Sequence, residues 1–216
     1  MTTLLISLVA ATLGAAFGLW SRRQVATLRY RNADELACPK PGPRNWLIWT
    51  TAIAWAGLGA FVNTTDSWAL LPVLLPIAMA GPALAAIDLD VMRLPNRVLV
   101  PAALTLAVGL GSTVLTEGNT GTAFRGLAGG AIAGATFWLL NAATRGGVGM
   151  GDVKVVTLVG TAVGSVSLVT VWWALLTASV GALIWTKVSR VAGPFAYGPW
   201  VLAGAWTAVM LSAVLG

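Results

Sequence analysis

The sequence predicts an all-α, polytopic integral membrane protein with about eight transmembrane helices, six at the least. Three observations carry that expectation. Of 216 residues, 57% are apolar and only 9% charged, where soluble domains carry about 25% charge. The apolar residues gather in runs of span-like length parted by short polar connections. Twelve of the thirteen basic residues fall in alternate connections, with Arg125 alone on the other side.

The first run, residues 4–20, has no basic residue before it and is followed at once by Arg22 and Arg23, so it reads as a retained anchor rather than a secretory signal. A polar connection, residues 21–45, closes with Pro39-Lys40-Pro41-Gly42-Pro43-Arg44. That composition predicts an extended, solvated cytoplasmic loop beside anionic headgroups. Runs 46–62, 68–87 and 98–115 are ordinary span candidates. Run 126–143 carries Gly126, Gly129, Gly130 and Gly134 near helical spacing, which predicts close helix packing. Run 155–166 falls short of the roughly 17 residues a span needs, so its fusion with run 168–186 into one long helix is the alternative. Fusion would carry Lys187 and Arg190 away from the other cations, whereas a turn at 165–167 keeps them together. Eight spans, the last at 200–215, therefore put both termini outside and the basic loops in the cytoplasm.

Composition also restricts the chemistry. There is no histidine, which removes Ser-His-Asp hydrolysis and the usual zinc ligands. Cys38 is the only cysteine and makes neither an internal disulfide nor a metal cluster by itself. No metal or cofactor is expected. The net charge of +6 marks one membrane face rather than a nucleic-acid surface. Proton chemistry falls to the seven acids.

Asp34, Glu35, Asp66 and Glu117 lie in polar connections, where solvation accounts for them. Asp88 follows the apolar stretch Ala83-Leu84-Ala85-Ala86-Ile87, and Asp152 opens run six in Gly147-Val148-Gly149-Met150-Gly151-Asp152-Val153-Lys154. The topology sets both at the same membrane boundary, where an ionised carboxylate is costly and usually functional. Two carboxyls sharing such a site hold one proton between them, the arrangement by which aspartic proteases activate water without metal or histidine. The bland alternatives are Asp152 as a helix cap near Lys154, and Asp88 or Asp90 paired with Arg93. A proton-coupled transporter using Asp88 and Asp152 as a relay is the rival function; it requires acids nearer the bilayer centre.

The flanks of these acids are Asp88-Leu89-Asp90-Val91-Met92-Arg93-Leu94-Pro95-Asn96 and Gly149-Met150-Gly151-Asp152-Val153-Lys154. Together they resemble the prepilin peptidases, or type IV leader peptidases, which are membrane aspartic proteases of the GxGD type. The segment Pro194-Phe195-Ala196-Tyr197-Gly198-Pro199-Trp200 is similar to that family's Pro-Phe-Gly-Pro entry to its last helix, with an insertion. The resemblance implies that Asp88 and Asp152 are the catalytic pair, that Gly149 and Gly151 admit an extended substrate backbone, that Pro95 and Asn96 shape the turn after the first acid, and that Lys154 tunes the pair or marks the flank. It further implies a multi-pass protein of the bacterial cytoplasmic membrane whose partners are prepilin or pseudopilin precursors, cut at the end of a basic leader. Residues 1–67 become an N-terminal pair of spans with a reduced loop, and 68–216 the membrane aspartic peptidase domain. Bifunctional members carry four cysteines in the first loop; this chain has Cys38 alone, so it resembles a short form and N-methylation is left unassigned.

Overall fold

A computed structural model describes residues 1–118, 120–145, 147–190 and 195–215. The elements among them are eight α-helices and two short 3-10 turns: α1 (Thr2–Ala26), α2 (Trp46–Thr64), α3 (Leu71–Val91), α4 (Asn96–Glu117), α5 (Gly121–Ala143), α6 (Met150–Val166), α7 (Leu168–Val188) and α8 (Gly198–Leu215). Six of these, all but α6 and α8, are long and apolar enough to cross a membrane. The chain is thus a polytopic, all-helical membrane protein.

The short sixth run is a helix in its own right. Ser167 adopts an extended backbone and its Oγ accepts the N–H of Thr170 at 3.1 Å, ending α6 and capping α7 in one residue. At 17 residues and about 1.5 Å per residue, α6 is a little shorter than a hydrocarbon core of about 30 Å.

Neighbours in sequence pack as pairs, α1 with α2, α3 with α4, α5 with α6 and α7 with α8. Among the candidate spans α3 is the most buried. Val73, Leu74, Ile77 and Leu84 of α3 meet α2, α6 and α8 in the shared core, while Ile87 packs in a second cluster with Val25, Tyr30 and Leu47. Outer helices keep large apolar side chains exposed, as Leu4, Leu8 and Leu13 do on α1 and Trp172, Leu176 and Leu183 on α7. Such surfaces suit lipid rather than water.

The glycine run on α5 makes the close packing expected of it. A Cβ at Gly129 would stand 2.6 Å from the carbonyl oxygen of Gly160, and one at Gly164 would stand 2.9 Å from the Cα of Gly129. The backbones of α5 and α6 therefore touch with no side chain between them.

The loop after α1 differs in part from its expectation. Residues 21–26 continue α1, and residues 32–44, largely exposed and irregular over 39–44 as expected, are anchored rather than loose. Arg31, buried, donates from Nη1 to the carbonyls of Glu35 at 3.2 Å and Cys38 at 3.0 Å, and from Nη2 to that of Pro39 at 2.9 Å. Its Nε and Nη2 reach Asp90 Oδ2 and Oδ1 at 3.0 and 2.8 Å. The loop is wound around one guanidinium and fastened to the end of α3. Asp90 accordingly pairs with Arg31 and, at 3.4 Å, with Arg44, rather than with Arg93. Arg93 instead forms a 2.7 Å pair with Glu35, an acid that solvation alone had accounted for.

Candidate active site

Asp88 occupies the last turn of α3. That helix stops at Met92, whose left-handed backbone (φ 46°) turns the chain as its N–H donates to the Asp88 carbonyl at 2.8 Å. Leu94 and Pro95 then lead into α4, with Pro95 as the extended residue before the first turn. Asp152 lies in the first turn of α6, three residues after the capping Gly149. Its N–H donates to the Gly149 carbonyl at 3.0 Å. The α6 start is held from outside by Asn141 on α5, whose Nδ2 donates to the Val148 carbonyl. An acid in the first helical turn is favoured by the partial positive charge there.

These two local structures meet. Asp88, Asp152, Gly149, Gly151, Pro95, Asn96 and Lys154 all line one cavity of about 560 Å³ at a single end of the bundle. Asp88 is 3% exposed and Asp152 half-buried.

Each shaping residue has a definite place. A Cβ at Gly151 would lie 3.2 Å from the Cβ of Leu94, so this glycine lets the α3–α4 connection approach the α6 start, while one at Gly149 would lie 3.2 Å from Asp152 Oδ2 and crowd that carboxyl. Asn96 is exposed and its Oδ1 accepts from Lys154 Nζ at 2.9 Å, which ties α4 to α6 across the cavity. Lys154 is engaged with that amide, and neither acid forms an ion pair with it among the described residues.

The start of α8 adds residues that the sequence had quoted as a segment without assigning roles. Gly198 donates its N–H to Asp88 Oδ2 at 2.8 Å, and a Cβ there would stand 2.9 Å from that oxygen. Tyr197 packs on Phe137 and shares a 3.1 Å hydrogen bond with Ser179. Burial pushes its hydroxyl above the ordinary phenol range, the Ser179 contact works against this, and the charge of Asp152 adds to it. One short segment thus touches Asp88 and packs against α5 and α7. Its Pro194 lies outside the described residues. A Gly-Pro pair at the mouth of an apolar run was the available signal.

Behind Asp88, on the loop side of α3, stands the cation cluster. Tyr30 donates its hydroxyl to Asp90 Oδ2 at 2.5 Å, and Arg44 Nη1 donates to the Tyr30 oxygen at 3.0 Å. Burial, and next the Asp90 contact, raise the Tyr30 hydroxyl above its usual range, so it stays a donor. Among the described residues no group of three or more Cys, Asp or Glu side chains stands together as a metal site.

Chemically, the cavity offers two carboxyls, a wall of backbone with little side-chain bulk, and a mouth at the end of an apolar bundle. A model of the type IV leader peptidase family matches residues 73–187, a stretch that holds Asp88, the Leu94-Pro95-Asn96 turn and the Gly149–Asp152 motif. The chain belongs to the type IV leader peptidase family. No curated protein and no solved structure matches it. Membership makes this a membrane peptidase, and Gly198 lies beyond the matched stretch.

Proposed function

We propose that this peptidase is an aspartic endopeptidase that removes the basic leader from type IV prepilin-like or pseudopilin precursors, at the cytoplasmic boundary of the bacterial inner membrane. One observation supports the reading above all others: two acids far apart in the chain, each in its own motif, line a single cavity at the end of the bundle. That position also favours peptide cleavage over a proton relay, which needs acids along a path through the bilayer.

In the proposed reaction the pair holds one proton. The ionised carboxylate takes a proton from water as the water oxygen attacks the scissile carbonyl, and the protonated partner donates to the carbonyl oxygen. Collapse of the tetrahedral intermediate breaks the C–N bond, and the leaving nitrogen departs with a proton returned from the pair. The Gly198 N–H holds Asp88 Oδ2 and so fixes the orientation of that carboxyl. Gly149, with no side chain to crowd Asp152 Oδ2, leaves that carboxyl open to an extended backbone, and Gly151 lets Leu94 close the wall beside it. Met92 and Met150, which line the cavity and are 60% and 51% exposed, give its mouth a flexible apolar rim for the helix that follows the leader.

The test is co-expression with a model precursor that has a short basic leader, glycine at the cut and a following apolar helix. The precursor should be shortened by the parent protein and remain full-length with Asp152→Asn. Normal shortening by the Asp152→Asn protein would remove the mechanism.

A further inference from the structure

A second pocket lies at the same end of the bundle, between the last turns of α1 and the proline-rich stretch before α2. It encloses about 320 Å³ and is lined by Arg22, Arg23, Lys40 and Arg44, with Leu28 and Pro41 among its apolar walls. Among the described residues no carboxylate lines it. Two of its cations are fixed in place: Arg22 Nη1 donates to Asn45 Oδ1 at 2.5 Å, and Arg44 is held from behind by Asp90 and Tyr30. Arg23 and Lys40 have no ion-pair partner among the described residues.

Arg22, Arg23 and Lys40, none in an ion pair among the described residues, raise the potential of the concavity, with Arg44 sharing its charge with Asp90, and the low dielectric of the walls concentrates the field there. The arrangement costs free energy until an anion enters. Arg22 and Arg23 belong to the end of a helix long and apolar enough to cross a membrane, so the pocket stands at headgroup depth, where cations meet lipid phosphates. Its composition is two-sided. The guanidinium and ammonium groups suit a phosphate, and Leu28 and Pro41 suit the carbon skeleton attached to it.

We propose that this pocket binds a phosphate group, carried either by the headgroup of an anionic lipid or by a soluble phosphate ester. The site rests on none of the cavity residues and stands or falls separately from the peptidase reading. Arg44 joins it to the rest of the molecule, because the same guanidinium pairs with Asp90 at the end of α3.

The experiment uses the full chain in nanodiscs of phosphatidylcholine, with phosphatidylglycerol added to the bilayer in one arm and glycerol 1-phosphate added to the buffer in another. Phosphate bound only by the folded state raises the thermal midpoint, here by about 3 °C. The double variant Arg23→Gln/Lys40→Gln should lose at least half of that rise, and Arg23→Lys/Lys40→Arg should keep it. Arg145→Gln/Lys187→Gln removes two exposed cations elsewhere and should also keep it. A rise with phosphatidylglycerol alone assigns the lipid headgroup; an equal, variant-sensitive rise with glycerol 1-phosphate assigns a soluble ester. The proposal is overturned if neither source raises the midpoint, if the Arg23/Lys40 glutamine variant keeps the full rise, or if the Arg145/Lys187 pair loses as much.

Discussion

Asp88 and Asp90 stand two residues apart at the end of α3 and meet opposite surroundings. Asp88 faces the cavity, receives one backbone N–H and has no cation paired with it among the described residues. Asp90 faces the loop and receives a two-pronged guanidinium, a second arginine and a phenol. Residues at this spacing point to different sides of a helix, so a single turn serves both. The difference teaches how a basic protein keeps a cavity carboxyl free of an ion pair. Arg31 and Arg44 are turned toward Asp90, and Arg93, although it lines the cavity, is paired with Glu35 rather than with either cavity acid.

The largest expected effects come from separating the two acids by mutation. Asp88→Asn and Asp152→Asn should each lower precursor cleavage by at least about 10³-fold while leaving membrane insertion and the thermal midpoint near those of the parent. Asp90→Asn should do the reverse and act first on stability. Cleavage assays on membranes, alongside thermal unfolding of purified protein, read both; equal loss of activity with no loss of stability at Asp90 would erase the contrast.

Next in size is Arg31→Ala. The Arg31 and Asp90 side chains are 1% and 6% exposed, and removing Arg31 takes the two-pronged contact from Asp90, leaves it only Arg44 and Tyr30, and frees three loop carbonyls, so a clear loss of stability is expected. Arg31→Lys restores the charge but not the planar fork that holds Asp90 and three carbonyls together, so it should recover only part of the loss. Denaturant unfolding gives the magnitude, and protease sensitivity of residues 32–45 shows whether the loop is released.

Gly198→Ala probes the cavity side of the same turn. A methyl group 2.9 Å from Asp88 Oδ2 forces the carboxyl or α8 to move, and a misplacement near 1 Å costs about 10²-fold in rate. A drop in kcat at nearly unchanged stability is expected; unaltered kcat would show that the N–H contact does not set the position of Asp88.

The smallest effect is a pH dependence. The Arg93 pair, and next the N–H of Asn32, hold Glu35 below the ordinary value of 4.5. A carboxyl lowered on folding stabilises the protein fully above its unfolded value, and that contribution fades as pH falls through the lowered one. Glu35→Gln should therefore flatten the acid limb of a plot of thermal midpoint against pH. Since Arg93 is partly exposed, solvent screening keeps the effect under about 1 kcal/mol.

What the sequence made legible follows the same division. All eight apolar runs became helices, and the break at 165–167 was readable because moving it would have scattered the cations. The cavity was legible because its residues come in contiguous motifs, and each motif folds locally as a helix end. The loop was not. Its fold depends on Arg31 meeting Asp90, a contact between residues 59 positions apart, and periodicity gives no sign of such a pair. Sequence closeness favoured Arg93 for Asp90, but Arg93 lies past the Met92 turn, where the chain has already changed direction. Gly198 was visible as part of a segment, yet its role depends on where α8 sits against α3.

The backbone contact between α5 and α6 has a consequence for Asp152. Sliding one helix along the other by a single residue, about 1.5 Å, would carry residues with side chains into places where Gly129, Gly160 and Gly164 now lie against backbone. Such a step is sterically closed, so the axial register of α6 is locked about three to four turns from its first residue. The position of Asp152 along the bundle axis is thereby set by glycines far from the cavity it lines.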